Sequence, residues 1–341
     1  MPSEDLILLL LVYGLTFVGS LLITRAIRAY ALRAQMVDVP NQRSSHTLPT
    51  PRGGGLSFVI LFPLTLLFFG WRGYLDWNIV AALTIGGLIV AVAGYLDDRR
   101  DLSARVRLLF HASAAVIALL FIGGMPALDL GFTVWEWGLI GHVVGFVGIV
   151  WMINLYNFMD GIDGIAASEA ISVALLAEIL LIVGGVGGGL EWVLLALAAA
   201  SAGFLVWNWP PAKIFMGDVG SGFLGFVFAV IAIYSAQTER STLWPWLILL
   251  GIFIVDATIT VLRRILRRER WYEAHRSHAY QHATTRWNSH LKVTLAVIIV
   301  NVIWLGPLAL IAVQLPALGV VAAIVALLPL AGLALYLRAG T

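Results

Sequence analysis

No cysteine occurs anywhere in the 341 residues, which excludes disulfides and thiolate metal centres. Charge is nearly as scarce. Asp, Glu, Lys and Arg together make up 12% of the chain against 60% hydrophobic residues, and mean hydropathy is +0.94, a balance foreign to soluble globular domains. Long linkers, low-complexity tracts and a separate soluble domain are also missing, so residues 1–341 read as a single integral membrane domain. The net charge of +2 gives no reason to expect nucleic acid, because the basic residues are sorted by topology.

Apolar runs of roughly 17 to 22 residues recur from end to end, and over that length only a helix satisfies its own backbone in hydrocarbon. The expectation is an all-α polytopic protein with about eleven transmembrane helices, near 5–24, 54–70, 78–95, 106–123, 136–153, 165–184, 190–207, 219–236, 243–262, 292–313 and 316–337. The first run follows Glu4 and Asp5, lacks a small-residue exit and precedes Arg25 and Arg28, so it reads as an anchor rather than a cleaved signal. With the N-terminus periplasmic and the C-terminus cytoplasmic, all of the 21 Lys and Arg residues except Arg72 and Arg240 fall inside, as the positive-inside rule requires.

What the chain does contain is a set of polar clusters, all on that inward side: SSHTLPTPRGGG, DDRRDLSARVR, NLYNFMDGIDG, WNWPPAKIFMGDVGS and HRSHAYQHATTR. The loops near 25–53, 96–107, 154–164, 208–220 and 263–291 can converge on one cleft, collecting Asp97, Asp98, Asp160, Asp163 and Asp218. Carboxylates crowded at a low-dielectric edge repel one another unless cations are present. Oxygen donors without cysteine suit a hard cation, and Mg2+, with Mn2+ as a substitute, takes one or two carboxylates and leaves the rest of its shell to water and phosphate. Neighbouring arginines point to that phosphate, whose oxygens match the guanidinium fork.

Taken singly, each cluster also has an ordinary reading. Asp97 to Arg100 could be a solvated turn, with Ser103 capping the next helix. RRILRRER could be a polybasic stripe on anionic headgroups. His275, His278 and His282 are spaced to share one helical face, although solvated histidines are commoner. Asp218 lies between glycines at a helix start, where free backbone N–H groups favour anions. Glu178 is an acid inside an apolar run; no partner is identifiable in the sequence, so it is set aside as structural.

Four elements in order carry a family resemblance: the P-x-x-G-G element of PTPRGGG, YLDDR with LSARVRLLFH behind it, NLYNFMDGIDG, and WNWPPAKIFMGDVGS. They span most of the chain, and it resembles the polyprenyl-phosphate N-acetylhexosamine-1-phosphate transferases, relatives of the peptidoglycan lipid I synthase. The resemblance implies that a UDP-N-acetylhexosamine gives its sugar 1-phosphate to undecaprenyl phosphate and releases UMP, at the cytoplasmic face of a bacterial inner membrane. It assigns Asp97, Asp98 and Asp218 to catalysis, and Asp218 with Asn157 to Mg2+. Asn154, Asp160 and Asp163 would hold substrate, Phe215 would stack on uracil, Asn208 would lie on the nucleoside side, and Arg107 would contact phosphate. Arg52 and His46 flank the glycine element as further substrate contacts.

Relatives often carry a clustered H-x-H-H in the last inward loop; here His278 matches, while Tyr280 and Gln281 replace histidines. That departure points away from the peptidoglycan donor and toward initiation of an O-antigen or similar lipopolysaccharide-type glycan. Membrane lipids, and a homodimer, are the remaining partners considered. A single in-line displacement is expected, since a phosphate monoester with a second pKa near ~6 needs little help from a base; a phospho-aspartate route is the alternative. The rival readings are a transporter of anionic solutes, which would want midplane charges and an internal repeat, and a noncatalytic polyprenyl-lipid-binding protein.

Overall fold

The computed structural model describes residues 3–38, 49–185, 189–237, 242–270 and 275–341; Arg43, His46 and Arg240 lie outside them. The described residues are all-α apart from two short antiparallel pairs. Helix α1 (Ser3–Arg33) is followed by β1 (Val37–Asp38), paired with β2 (Thr50–Pro51), and by α2 (Leu56–Trp71). Helix α3 (Trp77–Ala81) continues through a π-turn into α4 (Gly87–Arg100), and α5 (Ala104–Ile122) follows. β3 (Leu128–Asp129) pairs with β4 (Val134–Trp135) ahead of α6 (Ile140–Met159), α7 (Ile165–Gly184), α8 (Leu190–Asn208) and α9 (Asp218–Ala236). The last third holds α10 (Trp244–Leu249), α11 (Gly251–Leu266), the short α12 (Ala279–Trp287), α13 (His290–Val300), a second π-turn, α14 (Gly306–Gln314) and α15 (Gly319–Tyr336).

Among the described residues nine helices are long and apolar enough to cross a membrane. The difference from the expected eleven is specific. Helix α2 has only 16 residues, and the run 243–262 breaks at Leu250, where ψ reaches 9° and Gly251 packs so close to α15 that a Cβ there would lie 2.6 Å from Leu327. Three helices also outrun their expected ends, α1 reaching Arg33, α4 Arg100 and α6 Met159. Once a helix is nucleated, each further residue adds a hydrogen bond, and headgroup depth tolerates the polar side chains. Asp97, Asp98, Asn154 and Asn157 therefore stand on helix ends rather than in loops.

Helix α9 is the hub and is buried along almost its whole length. Helices associate in lipid by close packing of small residues rather than by a hydrophobic force, and α9 supplies Gly220, Ser221, Gly222 and Gly225 near its polar end. Its neighbour α4 answers with Gly94, where a Cβ would collide with the Asp218 carbonyl. The outer helices α1 and α15 leave Leu11, Leu15 and Leu328 exposed, as a lipid-facing surface should. The convergence of the ends of α4, α6 and α11 with the start of α9 gathers the polar clusters at one end of the bundle.

Gly94→Val should therefore separate α4 from α9. Overpacking of this kind costs about 1–3 kcal/mol, and we expect a lower thermal unfolding midpoint in detergent; an unchanged midpoint would count against this close approach.

Candidate active site

The end of α4 places two adjacent aspartates in opposite directions. Asp97 accepts the Leu102 N–H at 2.6 Å and a 2.6 Å salt bridge from Arg107 Nη1 of α5. Helix α5 begins there because Ser103 caps it, accepting from the Val106 N–H. Asp98 turns to α9 instead. Its Oδ1 accepts from the Asp218 N–H at 3.2 Å and its Oδ2 from the Val219 N–H at 3.3 Å, so the anion on this helix N-terminus is one of the protein's own carboxylates. Arg52 donates to the Asp98 carbonyl and lies 3.9 Å from its carboxylate. The glycine element is pinned in turn, Gly54 and Gly55 donating to the carbonyls of Phe215 and Met216, each at 2.9 Å.

Asp218, the first residue of α9, lies in the wall of one groove with Asp97 and Asn157. Asn157 donates one amide hydrogen to Ser221 Oγ at 3.0 Å, and its carbonyl oxygen is an acceptor. From these groups a groove of about 910 Å³ runs between α4, α5, α6 and α9, polar at its head with Asp97, Arg107, His111, Asn154, Asn157 and Asp218. Farther along it is walled by apolar side chains including Val150 and Trp151. Asn154 donates to the Val150 carbonyl at 2.7 Å and lies 3.3 Å from His111 Nδ1. A second cavity of about 300 Å³ lies beyond Asp98, with Arg52, Arg99, Tyr30 and Tyr95 in its wall.

Other expected ligands act as brackets in this structure. Asn208 is buried, with Oδ1 accepting from the Gly164 N–H at 3.0 Å and Nδ2 donating to the Ile214 carbonyl at 2.9 Å. Asp163 accepts the Ala212 N–H at 3.0 Å and lies 3.2 Å from His290 Nδ1. Phe215 is half-buried and donates its N–H to the Pro51 carbonyl. These three hold the loop 209–217 against the turn at 160–164 and do not line the groove. Asp160 ends α6 beside them; burial of its carboxyl, then the charges of Asp218, Asp98 and Asp163, pushes its pKa well above the usual carboxylate range.

The histidines do not share one helical face. Helix α12 starts only at Ala279, with His278 as its N-cap in extended conformation. His275 and His278 meet by stacking instead, centroids 4.9 Å apart. The His275 imidazole is pushed down to about 3 by burial, then by His278 and Arg264, so it is neutral at neutral pH. Tyr280 donates its hydroxyl to the Phe158 carbonyl at 3.0 Å, and Gln281 Oε1 accepts the His278 N–H at 3.2 Å. Sequence reasoning missed His111, Asp256 and Glu169; the last is fully buried in α7 and receives the Asn301 amide at 2.7 Å. A carboxylate inside an apolar run was the available signal for two of them.

Hard oxygen donors without a closed cage are what Mg2+ accepts. Among the described residues no three acidic or histidine side chains form such a cage, whereas the groove wall gathers the carboxylates of Asp97 and Asp218 and the amide of Asn157, oxygen donors only. Asp218 and Asn157 thus fit the metal assigned to them.

The model of glycosyl transferase family 4 matches residues 80–236, α3 through α9. A probable undecaprenyl-phosphate N-acetylglucosaminyl 1-phosphate transferase of Bacillus subtilis is 31% identical, with 89% of this chain and 85% of that protein covered. A decaprenyl-phosphate N-acetylglucosaminephosphotransferase of Mycobacterium tuberculosis is 26% identical, covering 84% and 77%. A phospho-N-acetylmuramoyl-pentapeptide-transferase of Thermosynechococcus vestitus is 33% identical over a shorter stretch, 64% of this chain and 59% of that protein. Matched in its central helices by the family model and over 89% of its length by the Bacillus subtilis relative, the chain belongs to the polyprenyl-phosphate sugar-1-phosphate transferases of glycosyl transferase family 4.

Proposed function

We propose that the protein transfers an N-acetylhexosamine 1-phosphate from a UDP-sugar to undecaprenyl phosphate, releasing UMP, at the cytoplasmic edge of the inner membrane. The observation that carries this reading is the head of the groove, where Asp97, Asn157 and Asp218 share one wall and Arg107 bridges to Asp97. An anionic nucleotide cannot enter hydrocarbon and a lipid phosphate lies at headgroup depth, so the two can meet only at such an edge. The apolar length of the groove suits an isoprenoid tail, with its phosphate near Arg107. The charge distribution supports the orientation, and the names of the relatives support donor and acceptor.

When bound at Asp218 and Asn157, Mg2+ would supply neutralising charge to the donor diphosphate. The residues of the chain do the positioning. Asp97 and Arg107 orient the lipid phosphate, whose oxygen attacks the β-phosphorus while UMP leaves on the far side, in a single displacement. Asp98 keeps Asp218 in register from behind. Tyr280 and Gln281 are occupied in bracing the loop, which leaves His278 as the imidazole facing the donor sugar. This favours a surface-polysaccharide donor over UDP-MurNAc-pentapeptide.

Purified protein given undecaprenyl phosphate, Mg2+ and a panel of UDP-N-acetylhexosamines should release UMP and form a sugar-diphosphate lipid, read by mass. Release of UDP, or turnover of UDP-MurNAc-pentapeptide, would overturn the assignment. Asp218→Ala should lower turnover by about 10³-fold, the scale of losing charge stabilisation in the transition state. EDTA should abolish activity, and Mg2+ or Mn2+ should restore it. Arg107→Ala should raise KM for the lipid by about tenfold or more, about 1.4 kcal/mol for loss of a charge-assisted contact; equal effects on lipid and donor KM would contradict its placement.

A further inference from the structure

Asp256 stands in α11 within FIVDATIT and is 5% exposed. Its carboxylate accepts four donors. They are the Ala279 and Tyr280 N–H groups, each at 2.9 Å, the Thr260 hydroxyl at 3.1 Å and His278 Nδ1 at 3.2 Å. The two backbone bonds cap α12. A cap needs nothing more, yet the same oxygen that takes Ala279 also reaches the imidazole.

The His278 ring is packed among other rings. It stacks with His275, at 4.9 Å, and with Tyr280, at 5.7 Å, and Phe158 lies 6.1 Å away. Phe158 itself lines the groove. A carboxylate can only accept, so Nδ1 must carry the hydrogen; in a singly protonated ring the lone pair is then on Nε2. Nε2 has no hydrogen-bond partner among the described residues, whereas Nδ1 and the backbone N–H are engaged and the ring stacks with two neighbours.

We propose that Asp256 is a positioning residue for donor recognition. It holds His278 in the Nδ1–H tautomer, so that Nε2 accepts a hydrogen bond from a hydroxyl or acetamido N–H of the donor sugar. This rests on the reading above that His278 faces the donor. Asp256 itself touches no substrate and acts through the imidazole.

Asp256→Ala removes the acceptor from Nδ1, so nothing holds the proton there and the neutral ring goes over to the Nε2–H form, which turns Nε2 from acceptor into donor. In protein carrying ¹⁵N-labelled histidine, NMR should show His278 as Nδ1–H in the wild type and as Nε2–H in Asp256→Ala. The variant should raise the donor KM at least tenfold and leave the lipid KM within twofold. In a His278→Gln background the same substitution should have no further effect on donor KM, because coupled residues are not additive. An Nε2–H tautomer in the wild type, an unchanged tautomer in the variant, or a full donor effect persisting in the His278→Gln background would each overturn the proposal. The wild-type spectrum decides even where the variant fails to fold. If the wild-type protein released no UMP with any donor, the transfer reading would fall, while the tautomer measurement would still judge the Asp256 to His278 link.

Discussion

The arrangement depends on one contact, the Asp98 carboxylate on the first two N–H groups of α9. A helix N-terminus carries about half a positive charge, and an anion there is worth roughly 0.3–1 kcal/mol exposed and up to ~2 when partly buried. The greater consequence is geometric. Because the bonded N–H groups belong to Asp218 and Val219, the contact fixes Asp218 against the end of α4. It also requires two glycines. Gly217 has φ +78, and a Cβ on it would lie 2.6 Å from Asp98 Oδ2, while Gly94 leaves α4 no side chain to hold it off the Asp218 carbonyl. Arg52 then ties the glycine element to the same aspartate.

That contact divides the labour of two residues that look interchangeable in YLDDR. Consecutive positions on a helix point about 100° apart, so when Asp98 turns to α9, Asp97 must turn to the groove. Arg107 meets it there from the first turns of α5. Both carboxylates are engaged, but Asp97 lines the groove beside Arg107 while Asp98 carries the seat of α9.

The membrane class, the order of the helices and the clustering of polar segments at one end were legible in the sequence, because hydropathy and charge sorting are properties of composition along the chain. The convergence of Asp97, Asn157 and Asp218 was legible too, by family resemblance. The division between Asp97 and Asp98 was not, since it needs the direction in which α4 faces α9. The same holds for Asn208 and Asp163. Their side chains look like ligands in the sequence and act as brackets in the fold, a distinction set by contacts between segments some 45 residues apart. The histidine spacing suggested a helical face that does not exist, because the Asp256 carboxylate starts α12 only after His278.

These brackets make the two halves of the site physically unlike. The turn after α6 is gripped from three directions. Tyr280 donates to the Phe158 carbonyl, Asn208 accepts the Gly164 N–H, and Thr294 donates to the Asp163 carbonyl at 2.9 Å while His290 meets its side chain. A constellation locked by hydrogen bonds from neighbouring elements presents its groups in a preset geometry, so this side of the site is built in advance. Among the described residues the groove between α5 and α6 has no comparable set of cross-links beyond Asn154 and His111, and its far walls are apolar side chains. On the proposed reaction the locked turn would serve the soluble donor, which must be recognised in detail, and the apolar groove the lipid, which must slide in and leave larger than it entered.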